Sequence, residues 1–171
     1  MTIHFGDSTS IATATGLGAK FVNSSSVTTV APFTQTSLGE GAFTNNAISL
    51  NYAAASSSNK VLVMASICMS CSNNGYAGRL VINGTAEPIS DSHGSAKRCS
   101  FMTTSTTTSN GNQIAFSYLK TSPSTSSVTY AIQLAHMDNN NCDMYLNKSH
   151  NSYTNAWHGR GTSTLTVLEF E

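Results

Sequence analysis

Val61-Leu-Val-Met-Ala-Ser-Ile-Cys-Met69 is the longest apolar stretch of this chain, interrupted by Ser66, and it is the strongest indication of the fold class. It is far shorter than the roughly 20 apolar residues that a membrane-spanning helix needs. Its β-branched residues favour a strand, in which successive side chains point to opposite faces. Such a strand would be apolar on both faces. One face would carry Val61, Val63, Ala65, Ile67 and Met69, and the other Leu62, Met64, Ser66 and Cys68.

Further strand-like segments follow one another along the chain, separated by turn residues. The clearest turn is Asn83-Gly84, because both residues tolerate the positive φ that tight hairpins require. No segment has the period of an amphipathic helix longer than two turns. The sequence therefore predicts an all-β fold, an antiparallel β-sandwich or jelly roll. The predicted strands are Ser26–Phe33, Ala47–Ala53, Lys60–Met69, Gly78–Thr85, Ala96–Thr103, Gln113–Thr121, Val128–Met137, Cys142–Asn147 and Thr162–Phe170.

The first thirty residues differ from the rest of the chain. They are rich in Gly, Ser and Thr, and they have no helical period. We predict an extended N-terminal arm over residues 1–30 and a sandwich domain over residues 31–171. Ile3, Phe5 and Ile11 are the apolar residues that would anchor the arm.

The composition is dominated by uncharged polar residues. Ser, Thr and Asn number 27, 22 and 16, whereas 9% of the residues are charged and the net charge is zero. Ordinary soluble domains have about 25% charged residues, and a surface this poor in charge favours self-association. The balanced charge gives no reason to expect nucleic acid or a membrane as partner. No secretory signal follows Met1, so we expect assembly in a cytoplasm and reduced cysteines.

The last predicted strand is also apolar on both faces. A two-sheet sandwich buries one face of each sheet, so such strands need a second apolar partner. Either both strands are central and lie under a loop, or one sheet turns its outer face to another subunit. The low charge favours the second interpretation. The predicted interface residues are Val61, Val63, Ile67, Leu165, Val167, Leu168 and Phe170.

The sequence offers little that would carry out chemistry. Cys68-x-x-Cys71 could form half of a zinc site, but no second pair accompanies it. The eight carboxylates are scattered over turns and termini, whereas glycosidases need two that converge. The run Asp138–Asp143 lacks the spacing and the glycine of an EF-hand loop. We therefore predict no catalytic residues, no metal site and no cofactor.

The segment 150–161 is the most distinctive predicted loop. It contains Tyr153, the single tryptophan Trp157, His158 and Arg160. Aromatic rings beside amides and an arginine suit recognition of a sugar or of a protein partner. The alternative is that Trp157 folds back and caps one end of the sandwich.

Both ends of the chain resemble a family of virus proteins. The opening Ile3-His-Phe-Gly-Asp-Ser-Thr-Ser-Ile-Ala-Thr-Ala14 resembles the start of many virion proteins of tailed bacteriophages, particularly aquatic phages. Ser8 departs from that pattern, which usually has glycine there. Three later pieces are similar to a β-rich domain that ends such fibre and surface proteins. They are Lys60-Val-Leu-Val63, Tyr145-Leu-Asn-Lys-Ser149 and Gly161-Thr-Ser-Thr-Leu-Thr-Val-Leu-Glu-Phe170.

The resemblance implies a non-enzymatic structural protein at the virion surface, built as a homotrimer of jelly rolls. A single domain with an arm favours a capsid decoration or cement protein that stabilises the shell. Ile3, Phe5 and Ile11 would then contact the major capsid protein or another virion protein. The alternative is a tail-fibre or receptor-binding module whose loop around Trp157 contacts host surface glycan. A glycan-active enzyme is the third and least favoured possibility.

Overall fold

The chain is all-β, as predicted. The computed structural model describes residues 3–4, 10–11, 19–39, 42–72, 75–91, 94, 96–103, 111–137, 141–150 and 159–171. Among these residues there is no helix long and apolar enough to cross a lipid bilayer. The strands are β1 (Ile3–His4), β2 (Ser10–Ile11), β3 (Phe21–Thr29), β4 (Phe33–Leu38), β5 (Ile48–Tyr52), β6 (Lys60–Cys71), β7 (Tyr76–Ile82), β8 (Thr85–Ala86), β9 (Phe101–Thr103), β10 (Asn112–Thr121), β11 (Val128–His136), β12 (Cys142–Leu146) and β13 (Ser163–Phe170).

Two antiparallel sheets pack face to face and form a β-sandwich. The larger, six-stranded sheet has the order β3-β13-β6-β12-β4, and β10 pairs with the other edge of β6. The five-stranded sheet has the order β5-β11-β7-β8, and β9 also pairs with β7. The short strands β1 and β2 pair with each other. The predicted sandwich is therefore confirmed.

Strands from the two ends of the chain pair with each other. The consecutive strands β3 and β4 pair with the consecutive strands β13 and β12, respectively, all within the six-stranded sheet. Closer to the middle of the chain, β5 pairs with β11, β6 with β10, and β7 with both β8 and β9. The sandwich is therefore closed by contacts between strands that are distant in sequence.

The core lies between the two sheets. The inward positions of β6, β11 and β13 are mainly apolar, with Val, Ile and Leu the most frequent residues, and most of them are completely buried. Burying one such side chain contributes roughly 1.5–3 kcal/mol. Among the largest fully buried side chains are Tyr76, Tyr130, Ile67, Met69, Leu80, Ile132, Leu134, Met144, Leu146 and Leu165.

The core accounts for most of the residues that the sequence assigned to a subunit interface. Val61, Val63, Ile67, Leu165 and Val167 each have an exposed fraction of 0% within one chain. They face the second sheet of their own sandwich, so they cannot contact another subunit, and that part of the prediction is wrong. Leu168 and Phe170 alternate with them along β13 and point to the opposite face.

The predicted boundary of the arm at residue 30 is also wrong. Strand β3 pairs with β13 along its whole length and forms an edge of the six-stranded sheet. Residues 21–29 therefore belong to the sandwich. The sequence concealed this because the strand consists mainly of Ser and Thr, whose hydroxyls pair with those of β13: Ser26 with Thr166 at 2.8 Å and Thr28 with Thr164 at 3.3 Å.

Most other strands lie where the sequence placed them, within one or two residues. The predicted turn at Asn83-Gly84 is confirmed, with φ of +47° and +84°. The predicted strand Ser26–Phe33 instead divides into β3 and β4, with Val30, Ala31 and Pro32 between them. Proline lacks the amide hydrogen that would continue the ladder, which explains the break.

Candidate interaction surface on the six-stranded sheet

The outer face of the six-stranded sheet, the side turned away from the five-stranded sheet, has an open half and a covered half. The open half is formed by β3, β13, β10 and the beginning of β6. The covered half is formed by β12 and the end of β6, over which residues 147–150 and 159–162 pass. Beyond it, Thr34 and Thr36 of the edge strand β4 are exposed.

An apolar patch occupies one end of the open half. Strand register places Leu62 of β6 between Leu119 of β10 and Leu168 of β13, all on the outer face. Phe170 lies opposite Phe21 at the edge strand, and their rings make an edge-to-face contact with centroids 6.1 Å apart. Three members of the patch are strongly exposed: Phe21 by 54%, Met64 by 44% and Leu119 by 58%. The apolar patch consists of Phe21, Leu62, Met64, Leu119, Leu168 and Phe170.

Next to the apolar patch, further along the strands, the outer face of the sheet carries mainly hydroxyl groups. Ser117, Met64, Thr166 and Ser26 form one row across the sheet, and Ala115, Ser66, Thr164 and Thr28 form the next. Between these rows the surface dips into an open hollow of about 380 Å³. No residue in either row carries a charge, so a partner that covers this surface would bury no unpaired ion.

The covered half is closed by residues 147–150, which follow β12, and residues 159–162, which precede β13. The Ser70 hydroxyl donates a hydrogen bond to the Lys148 carbonyl (2.7 Å), and Ser70 is completely buried although it is on the outer face. Gly161 lies directly on Cys68, since a Cβ atom at residue 161 would be 2.2 Å from the Cys68 Sγ atom. Only glycine allows so close an approach.

Asn147 holds the two ends of this segment together. It is completely buried and has a φ of +59°, which asparagine tolerates better than most residues. Its side-chain amide donates to the carbonyls of Thr29 (2.8 Å) and Ala31 (3.1 Å). Its side-chain oxygen accepts a hydrogen bond from Ser163 (2.6 Å). Asn147 thereby connects the start of the linking segment to β13 and to the junction between β3 and β4.

A polar cluster lies beneath this segment. The Tyr145 hydroxyl donates to the Asp143 carboxylate (3.1 Å), and its oxygen is 3.2 Å from Nδ1 of His150. The Lys148 ammonium lies 4.6 Å from the centre of the Tyr145 ring. Burial, together with the bond to Asp143, raises the pKa of Tyr145 to about 12. The phenol therefore stays neutral near pH 7, and the cluster anchors the base of the predicted loop.

Glu169 is a buried carboxylate with a complete set of donors. Its oxygens accept hydrogen bonds from the Tyr52 hydroxyl (2.5 Å), the Asn59 side-chain amide (2.7 Å) and the backbone N–H groups of Ala55 (2.9 Å) and Ser56 (3.4 Å). Burial alone would raise the pKa of Glu169, but these hydrogen bonds outweigh it, and the pKa lies below its ordinary value. The carboxylate orders the loop between β5 and β6.

The remaining predicted residues are placed as follows. Arg160 is exposed and forms an isolated bridge with Lys148 at the base of the linking segment. Ile3 and Ile11 are register partners in the β1–β2 pair. Phe5, Tyr153, Trp157 and His158 lie outside the described residues.

Cys68 and Cys71 point to opposite faces of β6, so the two thiols cannot bind one metal ion. Burial raises the pKa of Cys68. Within the described part of the chain, no group of three or more His, Cys, Asp or Glu side chains is arranged to hold a metal ion.

Sequence reasoning assigned Leu168 and Phe170 to an interface but did not assign Phe21, Leu62, Met64 or Leu119 to it. The alternation of Gln113–Thr121 already places Leu119 on the face of Ala115 and Ser117. That signal could have identified Leu119. Phe21 was missed because it falls within the segment interpreted as an arm.

Comparisons with known proteins identify no relative. No protein-family model matches the chain, and no curated protein is similar to it at a significant level.

Proposed function

We propose that this chain is a non-enzymatic structural protein of a bacteriophage particle, a homotrimer that decorates the capsid and stabilises it. The observation that carries the proposal is the apolar patch, a group of exposed apolar side chains on a rigid sheet in a chain with 9% charged residues. A contiguous exposed patch of this kind marks an interaction site in soluble proteins. The phage setting is supported by the resemblance of the two chain ends.

The proposed mechanism is stabilisation by mass action. A protein that binds the assembled shell, and does not bind its separated subunits, shifts the equilibrium towards the shell. Self-association through the apolar patch would bring several copies together. Each copy of the oligomer then adds its own contacts to the capsid, so the oligomer binds the capsid more tightly than a single copy would.

Replacing Leu168 by Lys tests the self-association. An ammonium group placed in the middle of the apolar patch would be buried without a partner, which costs several kcal/mol. We expect L168K to remain folded and to become monomeric at micromolar concentration, as measured by sedimentation equilibrium. Met102→Lys is the matched control, because Met102 is 57% exposed but lies on the five-stranded sheet. A wild-type protein that is itself monomeric would contradict the proposal.

The location on the particle is tested by binding to purified shells. Removing residues 1–18 should abolish co-sedimentation with shells if the N-terminal segment contacts the capsid. The deletion stops there because residues 21–29 form part of the sheet. Antibody labelling of virions that encode this chain should mark the capsid surface. Labelling confined to the tail would contradict decoration.

A second candidate is a receptor-binding module that recognises host surface glycan. The observation in its favour is that Asn147 and Gly161 fix residues 147–150 and 159–162 against the sheet. Arg160, which lies in the second of these stretches, is exposed to solvent. Replacing Trp157 and Arg160 by Ala should abolish adsorption to host cells but leave shell binding intact. Unchanged adsorption by this double variant would exclude the candidate.

A further inference from the structure

The open half of the outer face ends in two free sheet edges of similar length. In the described part of the chain, β3 pairs only with β13, and β10 pairs only with β6. Strand β3 has 9 residues and β10 has 10. Each edge therefore presents a row of backbone N–H and C=O groups that another strand could bind.

Neither edge is protected by a proline or by a charged side chain that a partner would meet, and the single irregularity of β3 lies at one end of the strand, between Phe21 and Asn23. Charged side chains, proline or bulges commonly prevent edge-to-edge pairing. Strand β3 contains no charged residue and no proline, and the charged residue of β10 is Lys120. Lys120 points to the inner face, where its ammonium group contacts the Glu87 carboxylate at 2.5 Å. Both edges are thus neutral on the side that a partner would meet.

The strand directions make these two edges complementary to each other. Strand β3 is antiparallel to β13, β13 to β6, and β6 to β10. With four strands in this row, β3 and β10 run in opposite directions. A second copy placed beside the first in the same orientation would therefore bring its β10 antiparallel to β3, and the alternation would continue across the junction.

We propose that β3 of one copy pairs with β10 of the next copy, so that the open halves join edge to edge and close into a ring with the apolar patches facing its axis. This inference rests on the proposed self-association, and it names the partner as a second copy of this chain. A head-to-tail interface of this kind forms a closed ring when the rotation from one copy to the next is a whole-number fraction of a full turn.

The distribution of side chains supports this pairing. Within each copy, Phe21 lies at the β3 edge of the apolar patch and Leu119 at its β10 edge. Edge pairing brings Phe21 of one copy close to Leu119 of the next, so the patch becomes continuous around the axis.

The charges lie at one end of the strands. Lys20 pairs with Glu171 at 2.7 Å, and the Lys60 ammonium donates to the Thr121 hydroxyl at 2.6 Å. These groups would stay at the solvent-exposed mouth of the ring.

Cross-linking between two variants that each carry one added cysteine tests the pairing. Ser26→Cys places a thiol on β3, and Ser117→Cys places one on β10, both on the outer face. The two purified variants are mixed, allowed to exchange and treated with a short bismaleimide. Linked peptides are then identified by mass spectrometry. Wild-type protein is the control, because it carries the half-buried Cys68.

We expect S26C–S117C links to outnumber links between identical variants by about tenfold, a preference of about 1.4 kcal/mol. The double variant should give a ladder of bands that ends at the closed ring. Predominant S26C–S26C links would overturn the proposal, because they indicate twofold pairing of β3 with β3. A monomeric protein without links would overturn it too. If antibodies label the capsid but the predominant links are S26C–S26C, the proposed function stands and the pairing of β3 with β10 fails. The failure of this inference can therefore be distinguished from the failure of the proposed function.

Discussion

Glu169 shows how one buried carboxylate can order a loop. It points inward near the end of β13, and its four donors come from residues of β5 and of the loop that follows it. These donors would otherwise have to be solvated or paired elsewhere. Because the carboxylate satisfies these donors, the loop between β5 and β6 closes against the sandwich although Ala54 is the one loop residue in the hydrophobic core cluster.

Replacing Glu169 by Gln should destabilise the chain. Gln has the size of Glu, but its amide nitrogen cannot accept the bonds that one carboxylate oxygen now accepts. We expect the free energy of unfolding at pH 7 to fall by about 1.5–3 kcal/mol, the range for hydrogen bonds to charged groups. Urea denaturation measures this change. The exposed Glu171→Gln is the control, and an equal loss in both variants would contradict the interpretation.

Glu169 also makes stability depend on pH. The pKa of Glu169 is lowered by folding, whereas an unfolded glutamate titrates near pH ~4.3. Its contribution is therefore fully present above the unfolded pKa and is lost as the pH falls through the folded pKa. We expect unfolding free energies of wild type and E169Q to converge between pH 5 and the acid limit. A constant difference down to about pH 2 would contradict this assignment.

Asn147 performs a comparable task at the start of the 147–162 segment. Asn147→Ala removes both amide donors and the acceptor for Ser163, and it places a less tolerant residue at a φ of +59°. We expect a loss of about 2–4 kcal/mol in unfolding free energy. The exposed Asn45→Ala is the control. Equal thermal unfolding midpoints for the two variants would show that Asn147 does not hold the segment.

At the scale of an element, β13 divides its side chains between two roles. Ser163, Leu165, Val167 and Glu169 face the core, and Thr164, Thr166, Leu168 and Phe170 face outward. The same alternation in β6 separates core residues from Leu62 and Met64. One strand thus contributes both to the stability of the chain and to the surface that we propose as an interface.

Two substitutions in β13 separate these roles. Leu165→Ala opens a cavity in the core and should lower the unfolding free energy by about 2–5 kcal/mol. Leu168→Ala should cost less than about 1 kcal/mol at protein concentrations where the chain is monomeric, because surface substitutions usually have small effects. Chemical denaturation at low concentration measures both. A larger loss for Leu168→Ala would contradict the assigned orientation.

Some strands can be located from sequence patterns, whereas others cannot. Strands with β-branched residues and clear turns, such as β6, β11 and β13, lie where the sequence predicts them. Strand β3 was misinterpreted because strings of Ser and Thr have no hydrophobic alternation to reveal a strand. Its partner β13 supplies the missing signal, and pairing between distant strands is not visible in a local pattern.

At the scale of the whole molecule, the position of β3 limits how much of the N-terminus can be removed. We expect a chain that lacks residues 1–18 to unfold at the same urea concentration as the full chain. A chain that lacks residues 1–30 would expose the edge of β13 and lose the Phe21–Phe170 contact. Its unfolding midpoint should fall markedly, and equal midpoints for both deletions would contradict the assignment of β3 to the sandwich.

The all-β class, most strand positions and the low charge that favours assembly could be predicted from the sequence, because they depend on local propensity, period and composition. The sequence also shows that β6 and β13 are apolar on both faces. Which of the two faces is the core became visible in the folded chain alone, because it depends on where the second sheet packs. That packing is made by contacts between residues distant in sequence, which is why five interface predictions proved wrong.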